Sequence, residues 1–358
     1  HYQQRRDPHV ESVVVRLRVR TNTFTQHGQD RRVGHGARLL KPVWDDALTR
    51  MADVCPVVVI SGNHDSPTRL GCGSSLLDRA GVHVRTRAGE CGDPVIVGDA
   101  AIYAIPYLEP DLVMADLGAA QRSHDAVLGT AMRRVRADLP RRRASVSVVA
   151  AHAFVAGAEP SSSERDLAVG GAAIVPATAF AGVDYVALGH LHGPQVCGDN
   201  GRYAGSPVAF SFSESGHEKS VAIVELSAGA EPDVTLHPIE VMRPLAKVTG
   251  TLDELLTDPR FDADEQAWVH ATITDAIRPQ DAMARLQRRF PYAAELDFAP
   301  RGARPAPSES YASRVSGVSD IELLERFVAD LRGVPATPEE TTVLSDALAA
   351  TRAAEAAA

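Results

Sequence analysis

The chain has 358 residues, 44% of them apolar, and a formal net charge of −9, which is enough for two or three domains around a sizeable core. No apolar run approaches the roughly 20 residues that span a bilayer and the N-terminus lacks a signal-peptide pattern, so a membrane role is not indicated and a cytoplasmic location is the expectation. The acidic balance excludes a global attraction to nucleic acid, leaving any such contact to a local basic patch or a basic partner. Cys55, Cys72, Cys91 and Cys197 form no Cys-x-x-Cys pair, so they suggest neither a zinc knuckle nor a disulfide framework and are expected to be reduced.

Residues 1–36 are arginine-rich, without lysine, and aperiodic apart from a possible strand at 13–19. Order begins near Lys41. A helix is expected over 42–52, with Trp44, Leu48 and Met51 on one face and Asp45, Asp46 and Arg50 on the other. Four consecutive β-branched residues, Val57 to Ile60, then suit a strand covered on both faces. Gly62 permits a sharp exit that leaves Asn63, His64 and Asp65 in a crevice, or simply in a polar turn. A helix over 70–80 and strands over 82–85 and 95–106 follow. Ser123 can cap a long helix to Leu139, with Val127, Ala131 and Val135 inward and Arg133, Arg134 and Arg136 outward. Arg141 to Arg143 extend this basic run, which suits either a solvated helix end or a DNA groove.

Strands over 145–151 and 183–188 end in His152 and in Gly189-His190-Leu191-His192. Strands alternating with helices argue for an α/β fold with layered sheets. The stretch from Gly205 to Lys219 is too polar for core and too aromatic for a plain loop, and it leads into a strand over 221–226. Residues 245–298 read as a compact β-α-β-α-β unit, residues 301–319 as a Pro/Gly/Ser-rich linker, and 320–331 and 338–350 as closing helices. Ile321, Leu324, Phe327, Val328 and Leu331 form one apolar stripe, which requires a partner helix or a fold-back onto the body.

Asn63 with His64, then His152, then His190 with His192 stand at three strand ends, and they converge if those strands are neighbours in one sheet. A single such histidine is more often structural; three in order favour a shared pocket. The i, i+2 spacing of His190 and His192 puts both imidazoles on one side of an extended segment, within reach of two adjacent ions. Imidazole and amide donors suit manganese, iron or zinc better than calcium. Two such ions about 3.5–4 Å apart suit hydrolysis of a phosphate ester. His64 is the candidate for protonating or stabilising the leaving oxygen, and Asp65 either orients it or closes the turn.

Through Gly62-Asn63-His64-Asp65, His152 and Gly189-His190-Leu191-His192 the chain resembles the calcineurin-like metallophosphoesterases. More narrowly, Ser61 to Ser66, Ala187 to Gln195 and above all Gly205-Ser206-Pro207 through Phe210-Ser211-Phe212-Ser213-Glu214 to Lys219 resemble the SbcD family, the nuclease subunits of bacterial SbcCD complexes, over about residues 38–350. The resemblance implies a layered β-sandwich flanked by helices over 37–241, a small α/β capping domain over 242–300, a linker over 301–319, and C-terminal helices over 320–358 that dock an ATPase partner. It implies two divalent ions, Mn2+ foremost, with Asn63, His152 and His190 on one and His192 on the other, and His64 as the non-ligand catalytic histidine. Double-stranded DNA ends and hairpins are the implied substrates, cleaved by 3'-5' exonuclease and endonuclease action in repair and recombination. An SbcC-type coiled-coil ATPase and a homodimer within a heterotetramer are the implied assembly.

The family's two opening motifs, Asp-x-His and Gly-Asp-x-x-Asp, are not recognisable: Asp7-Pro8-His9 follows no apolar strand, Gly28-Gln29-Asp30 is a poorer match, and Asp45 and Asp46 lie on a helix. Residues 1–36 are therefore expected to be a frame-shifted or mis-assigned replacement for the true start. Without a bridging carboxylate two dications repel across a few ångströms, so the chain is expected to hold at most one metal weakly and to cleave DNA poorly. A catalytically silent ATPase-partner or DNA-end-binding subunit and a small-molecule phosphodiesterase are the alternative readings.

Overall fold

Short runs of β-branched and small apolar residues, alternating in which face they bury, set the centre of the first unit. The computed structural model describes residues 36–161, 174–301, 318–332 and 334–356, and the chain divides into two units at Val241/Met242. The expected strand at 13–19, Asp7-Pro8-His9 and Gly28-Gln29-Asp30 lie outside the described residues, as does most of the expected linker.

In the first unit, β3 (Val95–Val97), β4 (Ala100–Ile105), β5 (Val146–His152), β8 (Tyr185–Gly189), β9 (Gln195–Cys197) and β10 (Gly201–Tyr203) make one sheet in the order β3-β4-β5-β8-β10-β9. The four inner strands run parallel and the two edges antiparallel. Between β5 and β8 the chain adds a short parallel pair, β6 (Phe154–Val155) and β7 (Ile174–Val175). Tyr103, Ile105, Val149 and Leu188 bury one face of the large sheet against α4 (Pro110–Leu117) and α5 (His124–Asp138), where Val127, Met132 and Val135 point inward. Ile102, Val146, Val148 and Tyr185 bury the other face against Val58, Val224 and Leu226. That second layer is formed by the parallel pair β1 (Val57–Ile60) and β2 (Val82–Arg85) and by the hairpin β11 (Ser220–Glu225) and β12 (Asp233–Pro238). Helix α1 (Gly36–Ala52) covers β1 and β2 through Trp44, Leu48 and Met51, the face expected from its period.

Three expectations change. The 70–80 segment is not one helix but α2 (Pro67–Leu70), α3 (Ser74–Leu77) and a tight turn at Asp78–Ala80, because Gly73 at φ 75° reverses the chain before α3. Strand 95–106 is a hairpin that folds at Gly98, φ 63°. Most consequentially, β1 is not hydrogen-bonded into the sheet of β5 and β8; it lies in its own two-stranded sheet, tied to the segment after β4 where Tyr107 N donates to Ser61 O at 2.8 Å.

The basic run of α5 is solvated at Arg133, Arg136 and Arg141 to Arg143, which are exposed, and two of its arginines also brace the helix. Ser123 Oγ caps the helix by accepting from Ala126 N, as expected. Arg134 donates to the carbonyls of Gly89, Asp116 and Leu117, and Arg136 to those of Ala179 and Ala181.

Asp78 receives Arg85 at 2.9 Å and faces His83 Nδ1 at 2.7 Å. Partial burial pulls its carboxyl upward, but the bonds from Arg85 and His83 outweigh it and hold the group below its ordinary 3.8. A lowered folded pKa gives stability that is complete above the unfolded value and lost as pH falls through the folded one. Asp78→Asn should therefore lower stability at neutral pH and flatten the acid limb below pH 4, as read by urea titration at several pH values. An unchanged acid limb would dismiss this role.

The second unit is a parallel three-stranded sheet, β13 (Leu245–Gly250), β14 (Trp268–Ile273) and β15 (Ala293–Phe298), crossed by α6 (Leu252–Thr257) and α7 (Ala282–Leu286). Val248, Val269, Ala271 and Ile273 pack on Leu252, Leu255, Leu286 and Phe290, matching the β-α-β-α-β pattern expected for this stretch. Thr251 and Glu254 form a reciprocal capping box at the start of α6. Helices α8 (Asp320–Arg332) and α9 (Pro338–Ala356) pair through Arg332 with Glu340 and Thr341 with Glu325. On α8, Phe327 and Leu331 remain more than half exposed, at 54% and 53%. No helix among the described residues is long and apolar enough to cross a membrane, and all four cysteines are unbridged thiols.

Candidate metal centre

Two parallel strands in register deliver the first two imidazoles. His152 closes β5 opposite Gly189 of β8, so His190, the next residue, falls beside it. Both side chains are buried, their rings 5.2 Å apart at 76°. His190 Nδ1 lies 3.3 Å from His152 Nε2.

The third donor comes from the other layer. Gly62 turns the chain out of β1, and Asp65 closes that turn: its Oδ2 accepts from Gly62 N at 2.7 Å. Of the two roles expected for Asp65, this contact is that of the turn residue. The turn brings Asn63 Oδ1 to 2.9 Å from His152 Nε2. A Cβ on Gly62 would stand 2.8 Å from His152 Cε1, so glycine is what allows this approach.

His190 has φ 115°, on the half of the backbone map that side chains avoid. The chain therefore turns at His190, and the extended i, i+2 spacing does not set the position of His192. His192 is held instead by Glu214, whose Oε1 lies 2.8 Å from Nδ1. His64 sits exposed on the Gly62–Asp65 turn, close enough to act electrostatically on His152, His190 and Asp65.

Burial, with the neighbouring His192 and His64 adding to it, holds the imidazole of His190 down at about 4; burial, then His190, His64 and His192, hold His152 well below its ordinary value. Both are neutral near pH 7, the form a metal requires. The 2.9 and 3.3 Å separations are short enough for Asn63, His152 and His190 to share one cation, which these three neutral donors would hold. Among the described residues no three His, Cys, Asp or Glu side chains converge as a metal site; this centre needs the Asn63 amide as its third donor. The donors fit one ion and leave a second short of carboxylate.

Tyr107 and His124, which sequence patterning did not single out, also line this centre: the Tyr107 ring lies 6.0 Å from His152 and 5.6 Å from His124. Burial lowers the pKa of His124. The signal for Tyr107 was present, since it follows the apolar β4 as Asn63 follows β1.

A layered α/β fold with buried imidazoles and an amide at strand ends defines a metallophosphoesterase-like protein. Residues 241–331 match the family model described as Type 5 capsule protein repressor C-terminal domain. The chain is 34% identical over 272 residues to the SbcD subunit of the SbcCD nuclease of Bacillus subtilis (strain 168), covering 71% of this chain and 69% of that one. It is 24% identical over 238 residues to the SbcD subunit of the SbcCD nuclease of Staphylococcus epidermidis (strain ATCC 12228 / FDA PCI 1200), covering 66% of this chain and 63% of that one. The chain belongs to the SbcD family of SbcCD nuclease subunits.

Proposed function

We propose that this chain is the metal-dependent nuclease subunit of a DNA-end-processing complex, a phosphodiesterase acting on double-stranded ends and hairpins in repair and recombination. The observation that carries the reading is the meeting of Asn63 Oδ1, His152 Nε2 and His190 Nδ1 at the ends of β1, β5 and β8. Asn63, His152 and His190 would hold one divalent cation, with manganese the best match to imidazole and amide donors, and His192 would face a second. The chemistry such cations supply when bound is a reactive hydroxide near neutral pH and neutralisation of charge at phosphorus. His64, exposed beside the centre, holds the proton for the departing oxygen. Asp65 fixes the turn that carries both Asn63 and His64.

The apolar stripe of α8, with Phe327 and Leu331 open, suits docking of a coiled-coil ATPase. The net charge of −9 agrees with a partner that contributes positive surface for DNA. Calorimetry should find one Mn2+ per 358-residue chain, bound weakly, with slow cleavage of hairpin DNA that the ATPase stimulates. Cleavage of a chromogenic phosphodiester in preference to DNA would move the reading to a small-molecule phosphodiesterase. Stable ATPase binding with no hydrolysis of either substrate would make the chain a silent partner.

A further inference from the structure

The stretch from Gly205 to Lys219 folds around His192. Gly205, at φ 78°, passes so close that a Cβ there would meet His192 O at 2.9 Å. This approach lets Ser206 N donate to His192 O at 3.1 Å. Lys219 Nζ donates to the same carbonyl at 3.2 Å, to Ser206 Oγ at 2.8 Å and to Glu214 Oε2 at 2.7 Å. Glu214 Oε1 takes the His192 ring and the Phe210 amide. The side chains of Glu214 and Lys219 are 0% and 2% exposed.

Resting on the nuclease reading above, we propose that the buried Glu214–Lys219 pair is a positioning device for His192, fixing its ring orientation and its tautomer, with the proton on Nδ1 and the lone pair on Nε2. Two arguments support it. Replacing a buried ion pair by apolar groups of similar size is often neutral or stabilising, so stability alone gives little reason for one here. A carboxylate held by a lysine at 2.7 Å can only accept, so the His192 nitrogen facing it must donate. Carboxylate–imidazole pairs of this kind set the tautomer of ligating histidines, and losing the carboxylate costs about 10–100-fold in metal affinity or activity.

The test uses the full chain labelled with 15N-histidine, with the imidazole tautomers read by two-bond correlations in the absence of metal and DNA. In the native chain His192 should be protonated at Nδ1. In the Glu214→Leu/Lys219→Met variant, which removes both charges at similar volume, that signature should give way to a mixed tautomer, and Mn2+-dependent cleavage should fall about 10–100-fold with the melting temperature little changed. An unchanged His192 tautomer in the variant overturns the proposal. So does Nε2 protonation in the native chain, a result available even if the variant does not fold. Because the tautomer is read without metal or DNA, it decides the positioning role whatever the cleavage assay says of the nuclease reading.

Discussion

Replacing His190 by alanine or by glycine should weaken Mn2+ binding at least tenfold and reduce any DNA cleavage to background, yet the two variants should differ in stability. His190 sits at φ 115°, and a side chain held there stores about 1–3 kcal/mol of strain. Alanine removes the imidazole and keeps the strain; glycine removes both. His190→Gly should therefore be about 1 kcal/mol more stable than His190→Ala in urea titration, the reverse of the usual order of these residues within regular structure. Equal stabilities would mean the backbone relaxes without cost, and undiminished Mn2+ affinity in either variant would remove His190 from the ligand set.

The second large effect is expected where nothing is removed. Gly62→Ala adds one methyl group 2.8 Å from His152 Cε1 and 3.2 Å from both ring nitrogens. One of the two must move, and either movement separates Asn63 Oδ1 from His152 Nε2. A displacement near 1 Å at a reacting centre can cost about 100-fold in rate, so Mn2+ affinity and cleavage should both collapse. Global stability should fall only modestly, since Gly62 lies at the edge of the first unit's core. A Gly62→Ala chain with normal affinity would show that the turn and the imidazole are less tightly coupled than their separation implies.

Much of this was legible in the sequence, for identifiable reasons. Four β-branched residues at Val57 to Ile60 and the largely apolar run over 146–151 suit buried strands, and polar residues directly after such runs mark the rim of a parallel sheet. That logic found Asn63, His152 and His190. It could not tell which strands pair: β1 is as apolar as β5, and only tertiary packing sends it to a separate layer. Spacing likewise suggested that His190 and His192 project together from an extended segment, whereas the positive φ at His190 bends the chain and a carboxylate 22 residues onward holds His192. Helix periodicity over 70–80 is overridden at Gly73, whose effect depends on its positive φ rather than on apolar pattern. Tyr107 is hidden from such patterning because the segment between Pro106 and Pro110 reads as loop.

The arginines of α5 carry a final consequence for how this surface can meet a polyanion. Arg134 and Arg136 staple their helix to peptide carbonyls drawn from several separate segments. Both guanidinium groups already donate to these carbonyls, so a phosphate approaching Arg134 or Arg136 would have to compete with bonds that fasten the helix. A lysine at position 134 would carry the same formal charge, yet its single ammonium matches a three-carbonyl cradle poorly, and the helix would lose its fastening without any change in net electrostatics.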